Sequence, residues 1–522
     1  MAQEKRHIKY PVGIQTFKDI IEGGYLYIDK TGYVKSLVES GKYFFLSRPR
    51  RFGKSLLLST LESYFLGERE LFLNLEIYPD IVEAPHPVLH IDLSNREYKD
   101  YDSLVAALNA HLERWEEAYG DEKKDRAVEE RFAWIIEKAW RVTGRQVVIL
   151  IDEYEKPLLS AIGNEALADR YRATLKAFYA NLKTMDRCIR FAMLTGVARF
   201  TKVSVFSDLN NLNDISFLQQ YSGICGITSD ELEAYFTPGI SVLAETLGRP
   251  QEDIKAELRH RYDGYHFSES SPDIYSPYSL IKVCENRRFD SYWFDSGTPT
   301  FLVALIRRGH WQLKDIAPVT YDAEELASAG ILSRDPVPVL FQSGYLTIKS
   351  YNPEYQEYLL DYPNTEVKNG FLKFLLKSFA GDGSSSRGLA IQDFLKEVRH
   401  GNPEAFMERF NSLLAGLAYN DKGNRESRFQ DAVYLIFTLL GEYTEMERRT
   451  SDGRIDLKVE TSGFIYIFEF KIDSDASSAL GQINRKEYWM PDRFTGKTVY
   501  LIGASFDTGT GRLSDYLIDC LR

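Results

Sequence analysis

An apolar, β-prone run, Lys42-Tyr-Phe-Phe-Leu46, leads straight into Arg48-Pro-Arg-Arg-Phe-Gly-Lys-Ser55, and Leu56, Leu57, Leu58, Leu61, Tyr64 and Phe65 then recur at helical spacing. Strand, glycine-containing loop and helix in that order form a cradle for phosphate. Backbone amides and the helix N-terminus face the anion, a lysine reaches the outer phosphates, and a hydroxyl holds magnesium. Gly53, Lys54 and Ser55 fill the last positions of the pattern G-x-x-x-x-G-K-[ST], but Arg48 stands where its first glycine belongs and Pro49 follows. Arginine avoids positive φ, so the loop is expected to start in a different shape. A chance Gly-Lys-Ser before a helix is common; the upstream strand and a second acidic motif favour nucleotide binding.

That second motif is Asp152-Glu153, which ends the apolar run Val147-Val-Ile-Leu-Ile151. The aspartate is placed to hold magnesium and the glutamate to polarise water; a plain helix N-cap is the competing reading. Two further strands are expected at Val88-Leu-His-Ile-Asp-Leu93 and Ile189-Arg-Phe-Ala-Met-Leu194, and residues 25–28 form a short apolar, β-prone run. Helices are expected around 102–117 and 166–183. Short apolar strands alternating with helices indicate an α/β fold with a parallel sheet covered on both faces. Thr195, after the last strand, can sense a terminal phosphate; Arg199 and Lys202 can reach phosphates in cis or from a neighbouring subunit, or form a solvated basic turn. The nucleotide-binding set is therefore Arg50, Arg51, Phe52, Gly53, Lys54, Ser55, Leu56, Asp152, Thr195 and Arg199, with Ser55 and Asp152 at the metal and Glu153 catalytic. Arg48, with Arg50 and Arg51, adds positive charge around the loop and either contacts phosphates or forms ion pairs with nearby acids.

The first domain is drawn at 1–225. A helical lid with a winged-helix-like hairpin spans 226–380: Thr228-Ser-Asp-Glu231 reads as a capping box, 262–278 is a Gly/Tyr/Pro-rich interruption, and Asn352-Pro-Glu354 turns between two β-prone runs. Gly381-Asp-Gly-Ser-Ser-Ser-Arg-Gly388 reads as a linker. Residues 389–522 form helices and a small α/β domain, with a helix at 427–440, strands at 464–470 and 498–502, and a helix at 476–488.

In that last domain Asp456 follows Gly453-Arg-Ile, and Phe468-Glu-Phe-Lys471 lies on the next strand. Residues two apart on a strand share a face, so Glu469 and Lys471 point together while Phe468 and Phe470 pack behind. Asp456 and Glu469 can converge on one divalent cation, for which oxygen ligands suit magnesium or manganese. Lys471 would then orient water or offset phosphate charge. A solvated edge strand is the competing reading. Arg448, Arg449 and Arg454 can contact backbone phosphates or form a solvated hairpin.

Two resemblances carry these motifs further. Pro11-Val-Gly-Ile-Gln-Thr-Phe17, Tyr27-Ile-Asp-Lys-Thr31, Phe45-Leu-Ser-Arg-Pro-Arg-Arg-Phe-Gly-Lys-Ser55 and Ile151-Asp-Glu-Tyr-Glu-Lys-Pro157 resemble the bacterial AAA-ATPase-like family of P-loop ATPases, in which the Arg-Pro-Arg-Arg-Phe-Gly-Lys-Ser loop is usual. Asp29, Lys30 and Thr31 belong to the resemblance without an assigned role. Gly453-Arg-Ile-Asp-Leu457, Ile467-Phe-Glu-Phe-Lys471, Ala479-Leu-Gly-Gln-Ile483 and Lys486-Glu-Tyr488 resemble the PD-(D/E)XK nuclease superfamily. That resemblance implies Asp456, Glu469 and Lys471 as the catalytic core, Gln482 as a phosphate-positioning residue, and Glu426 as a further metal ligand. Phe429-Gln430 stand where the family often has Tyr-His.

The implied protein binds and hydrolyses ATP with magnesium and is coupled to a magnesium- or manganese-dependent endonuclease acting on nucleic acid, DNA by preference, with a homo-oligomer through the ATPase domain. The alternative is a nucleotide-dependent regulatory scaffold with an inactive nuclease fold; a third reading remodels nucleic acid without cutting. A net charge of −12 excludes a surface basic all over, though not a local basic channel. The four scattered cysteines make neither a disulfide framework nor a zinc site. No apolar run suits a signal peptide or a membrane span, so a cytoplasmic protein is expected.

Overall fold

The computed structural model describes residues 8–94, 96–197, 211–296, 316–328, 335–380, 391–416, 425–440, 444–446, 449–450, 453–454 and 456–521. Arg199, Lys202, Arg448 and the linker at 381–388 lie outside the described residues. The chain forms two compact units, residues 1–309 with 317–368, and residues 310–316 with 369–522.

In the first unit the apolar run before the loop becomes β1 (Tyr43–Ser47), buried throughout. It joins β2 (Val88–Asp92), β3 (Val147–Asp152), β4 (Ile189–Gly196) and the short β5 (Asn213–Asp214) in the order β2-β3-β4-β1-β5, all parallel. Inserting β4 between β1 and β3 is what assembles the site. Leu46 lies opposite Thr195 and Ile151 opposite Leu194, so Ser47, Thr195 and Asp152 end neighbouring strands at one edge. The helices Tyr101–Tyr119, Val128–Thr143 and Glu165–Thr184 bury their apolar stripes, with the Phe132 and Phe178 rings stacked at 4.2 Å.

Residues 25–28 do not form a strand. Leu26 and Ile28 instead pack on the helical core of the middle region, built on Ile240, Leu243, Leu258 and Leu280 and joined by Tyr10. This core, not a sheet, is where the N-terminal segment gains its burial. The capping box forms as expected: Thr228 accepts from the Glu231 amide and Glu231 accepts from the Thr228 amide. β6 (Ile227–Thr228) pairs with β7 (Ile274–Tyr275). Further on, β8 (Val319–Asp322), β9 (Thr347–Asn352) and β10 (Glu357–Asp361) make an antiparallel sheet in the order β8-β10-β9. The helices Ala323–Ser328 and Pro336–Gln342 fall between β8 and β9, which is the connectivity of a winged helix. Every residue of Pro336–Gln342 is buried, so that helix has no free face to lay in a DNA groove.

The second unit holds a sheet of β11 (Thr444–Met446), β14 (Leu457–Glu460), β15 (Phe464–Ile472), β16 (Thr498–Asp507) and β17 (Arg512–Leu521), in that order, beside a small ribbon of β12 (Arg449–Thr450) and β13 (Gly453–Arg454). β15 and β16 run parallel, connected through the helix Ala476–Arg485. That helix ends at Arg485, short of the expected 488. The long strand β17 was not expected. Phe468 and Phe470 point to one face of β15, against Phe406, Phe410, Phe429 and Phe437 from the helices Pro403–Gly416 and Arg425–Leu439.

Candidate active sites

The loop after β1 ends at Gly53, whose φ of 96° is left-handed; a Cβ there would meet nothing within 4 Å, so conformation rather than space calls for glycine. No side chain caps the helix Lys54–Phe65 that follows. Its first amides and the positive end of its dipole therefore point into the loop, an arrangement suited to an anion. Lys54, 4% exposed, donates from Nζ to Arg48 O (3.0 Å) and Pro49 O (3.2 Å) and lies 3.7 Å from Glu153 Oε1. Ser55 Oγ donates to Asp152 Oδ2 (2.5 Å), and Thr195 Oγ1 donates to Asp152 Oδ1 (2.6 Å). The structure thus brings Lys54, Ser55, Asp152, Glu153 and Thr195 together. Leu56 sits half-buried in the first helical turn and Arg50 half-buried before it.

The arginines of the loop divide. Arg48 does not adopt positive φ; its amide donates to Gly196 O and so prolongs the sheet. Its guanidinium is 1% exposed and donates to Ser47 O, Ser216 O and Tyr221 O. Burial holds its pKa down to about 10. It is a packed cation held by backbone carbonyls, with no ion pair among the described residues. Arg51, with φ of 66°, turns its guanidinium over the Tyr278 ring (3.7 Å) and donates to Tyr292 O (3.0 Å). Phe52 is buried against Tyr265 and Phe267.

One residue of this site escaped the sequence reading. Glu155, fully buried, accepts from Val197 N at 2.6 Å. Burial, then the charge of Glu153, pushes its pKa up to about 8. It ties the turn after β3 to the end of β4, alongside the Tyr154 N to Thr195 O bond. A second acid two positions beyond Glu153 was the available signal. The Asp29-Lys-Thr31 segment also gains an account. Asp29 accepts from the Thr31 and Glu76 amides, and Lys30 donates to Gly223 O and Glu231. It is a structural tie between the sheet domain and the first lid helix.

In the second unit, Leu457 pairs with Phe468 across β14 and β15, which sets Asp456 opposite Glu469. Asp456 Oδ2 accepts from Phe470 N at 3.0 Å. Glu469 and Lys471 share the face away from the phenylalanine core. Lys471 Nζ donates to Glu469 Oε1 (3.2 Å) and Gln482 Oε1 (2.7 Å), while Gln482 Nε2 donates to Glu469 Oε1. Gln482 reaches this point because its helix lies tight on β16. A Cβ at Gly503 would come within 2.4 Å of Leu480 N, so only glycine admits that approach. Glu469 is 2% exposed, and its Oε2 has no hydrogen-bond partner among the described residues. Burial, then the negative charge of Asp456, raises its pKa to about 7.

An orphaned, buried carboxylate oxygen beside a second carboxylate is stabilised by a cation, and Asp456 and Glu469 fit one. Glu426 does not join them. It lies exposed in the first turn of Arg425–Leu439, and no group of three His, Cys, Asp or Glu side chains gathers at a metal-holding point among the described residues. Phe429 fills core space, its ring stacked at 4.3 Å on Phe506. Arg449 and Arg454 pair through their backbones in the adjoining ribbon.

Comparison with known proteins agrees with this division. Residues 11–206 match the family described as predicted AAA-ATPase, and residues 424–515 match the PD-(D/E)XK nuclease superfamily. A protein of Azotobacter chroococcum mcd 1, described as an uncharacterized protein in the vnfD 5' region, is 34% identical over 526 residues, covering 98% of this chain and 99% of that one. The solved Aeropyrum pernix ORC2 protein (ADPNP-ADP complexes) aligns at 10% identity over 66% of this chain and 93% of its own, with a TM-score of 0.19.

Proposed function

The chain belongs to the family that joins a predicted AAA-ATPase domain to a PD-(D/E)XK nuclease superfamily domain, and from that premise we propose that it binds and hydrolyses ATP and couples this to metal-dependent cutting of DNA. In the first unit, the amides from Arg50 to Leu56 and Lys54 Nζ bind the phosphates. Ser55 and Asp152 hold magnesium, which when bound neutralises phosphate charge. Glu153 accepts a proton from the attacking water, and Thr195 orients the terminal phosphate. Arg199 is the proposed further phosphate contact.

In the second unit, Asp456 and Glu469 hold magnesium or manganese, which when bound supplies Lewis acidity and positive charge at a scissile phosphate. Lys471 Nζ, fixed by Glu469 and Gln482, faces that phosphate, and Gln482 positions it. The observation that carries this reading is Oε2 of Glu469, 2% exposed and without a hydrogen-bond partner among the described residues, in a carboxylate pair already provided with an ammonium. A retired nuclease serving as an ATP-dependent scaffold draws on the exposed Glu426 and on Phe429-Gln430.

DNA is the proposed partner, with self-association through the ATPase domain and a cytoplasmic site of action. No helix among the described residues is long and apolar enough to cross a membrane. Incubation of supercoiled plasmid with the full chain and magnesium or manganese, with and without ATP, tests the proposal. Cutting is expected, lost on chelation and reduced at least about a hundredfold in Lys471→Ala. Uncut plasmid under every nucleotide condition would instead favour the scaffold.

A further inference from the structure

The phosphate loop is gripped from outside by the middle region, residue by residue. The Arg48 guanidinium lies 4.1 Å from the Phe267 ring centroid. Phe52 stands edge-on to Tyr265 (4.8 Å) and Phe267 (5.6 Å). Arg51 covers Tyr278 and donates to Tyr292 O. Tyr292 is itself immobilised: its amide donates to Glu366 Oε1 at 2.6 Å, and the next amide, Trp293 N, donates to the same oxygen at 2.9 Å. The other Glu366 oxygen accepts from Ser279 Oγ at 2.7 Å. Glu366 is 4% exposed and sits in the first turn of the helix Thr365–Ala380.

Arg51 is a non-glycine residue in left-handed conformation, φ 66°. Such a residue stays there only while its surroundings over-determine it. Those surroundings include the Tyr278 ring and the Tyr292 carbonyl, and the Tyr292 and Trp293 amides are held by the buried Glu366 carboxylate. Two residues later comes Gly53, and then the amides that face a phosphate. Release of Tyr292 would let Arg51 leave the left-handed region and turn those amides away.

We propose that Glu366 is a positioning residue of the nucleotide site, holding Arg51 through Tyr292. By reciprocity, nucleotide at the loop then alters the helix Thr365–Ala380. This rests on the reading of residues 48–55 as a nucleotide site. The linkage is reciprocal because a conformational equilibrium at this helix that alters ATP affinity is shifted by ATP by the same free energy. From residue 369 onward that helix is counted with the second compact unit.

The test uses the full chain in two measurements: ATP affinity by calorimetry, and amide hydrogen exchange over residues 365–376 with and without ATP. Wild type is expected to bind ATP and to change its exchange in that stretch. Glu366→Ala should weaken ATP binding about tenfold, the scale of one charge-assisted hydrogen bond, and abolish the exchange response. Glu366→Gln, which keeps an acceptor for both amides, should stay within about twofold. Tyr278→Leu removes the ring under Arg51 while leaving the Glu366 bonds intact, and should also weaken ATP binding; it decides the matter should the alanine variant fail to fold. Wild-type affinity and response in Glu366→Ala, or in Tyr278→Leu, would overturn the proposal. A wild-type chain that binds no ATP would instead overturn the nucleotide reading beneath it, and ATP binding without any exchange change would overturn the linkage alone.

Discussion

Replacing Arg48 by glycine restores the usual first residue of the loop pattern, and it is expected to damage the protein. The guanidinium makes three donations to backbone carbonyls, at 2.9, 2.8 and 3.0 Å, and is 1% exposed. Each bond from a charged donor contributes about 1.5–3 kcal/mol. The opposing cost is desolvation: lowering its pKa to about 10 corresponds to roughly 3 kcal/mol. Arg48→Gly keeps none of the bonds, leaves the Ser216 and Tyr221 carbonyls without these donors, and opens a cavity beside Phe267. The net loss should be about 4 kcal/mol, within the range for a broken buried network. Because the chain has two units, a single unfolding midpoint is a poor measure; native-state hydrogen exchange of the slowest amides in β1, β3 and β4 reads the first unit directly. Their opening free energy is expected to fall by about 4 kcal/mol, with weaker ATP binding. Unchanged protection with equal or tighter ATP binding would refute the reasoning and return Arg48 to a dispensable loop position.

Gly503→Ala should force the helix Ala476–Arg485 away from β16, because its Cβ would meet Leu480 N at 2.4 Å; a loss of about 1–3 kcal/mol in the second unit, seen by calorimetry, should accompany reduced plasmid cutting as Gln482 shifts. Asp263 is 2% exposed, and burial raises its pKa to about 6. The folded state therefore holds this proton more tightly than the unfolded state, and stability falls as pH rises from about 4 to about 6. Asp263→Asn should remove that fall and gain up to about 3 kcal/mol at pH 7 with no gain at pH 4, read from melting at the two values. Lys54→Ala should weaken ATP binding at least about a hundredfold while leaving the fold intact, since the phosphate contacts proposed for its ammonium are charge-assisted.

Much of the site was legible because its residues sit at fixed local offsets. The period of two put Glu469 and Lys471 on one face and Phe468 and Phe470 on the other, and the structure has this arrangement. Strand-end positions placed Asp152 and Thr195 beside Ser55, because parallel apolar runs can lie only in a sheet whose edges align. Arg48 was misread because its partners Ser216 and Tyr221 are 168 and 173 residues away, beyond any local pattern. Glu366 was hidden in the same way, its partners Ser279 and Tyr292 lying 87 and 74 residues away. β17 was missed because its residues, mostly exposed, do not alternate regularly between apolar and polar as a half-buried strand does. Residues 25–28 looked like a strand because their alternating aromatic and aliphatic side chains fit a pleat as well as they fit the helical core that takes Leu26 and Ile28.

Titration of manganese into the full chain without nucleotide, wild type beside Glu469→Gln, examines the carboxylate pair itself. One bound ion should disappear in the variant. In wild type its affinity should rise with pH and level off near the pKa of Glu469, about 7, since only the ionised carboxylate binds. Identical binding in the two proteins would contradict a cation held between Asp456 and Glu469.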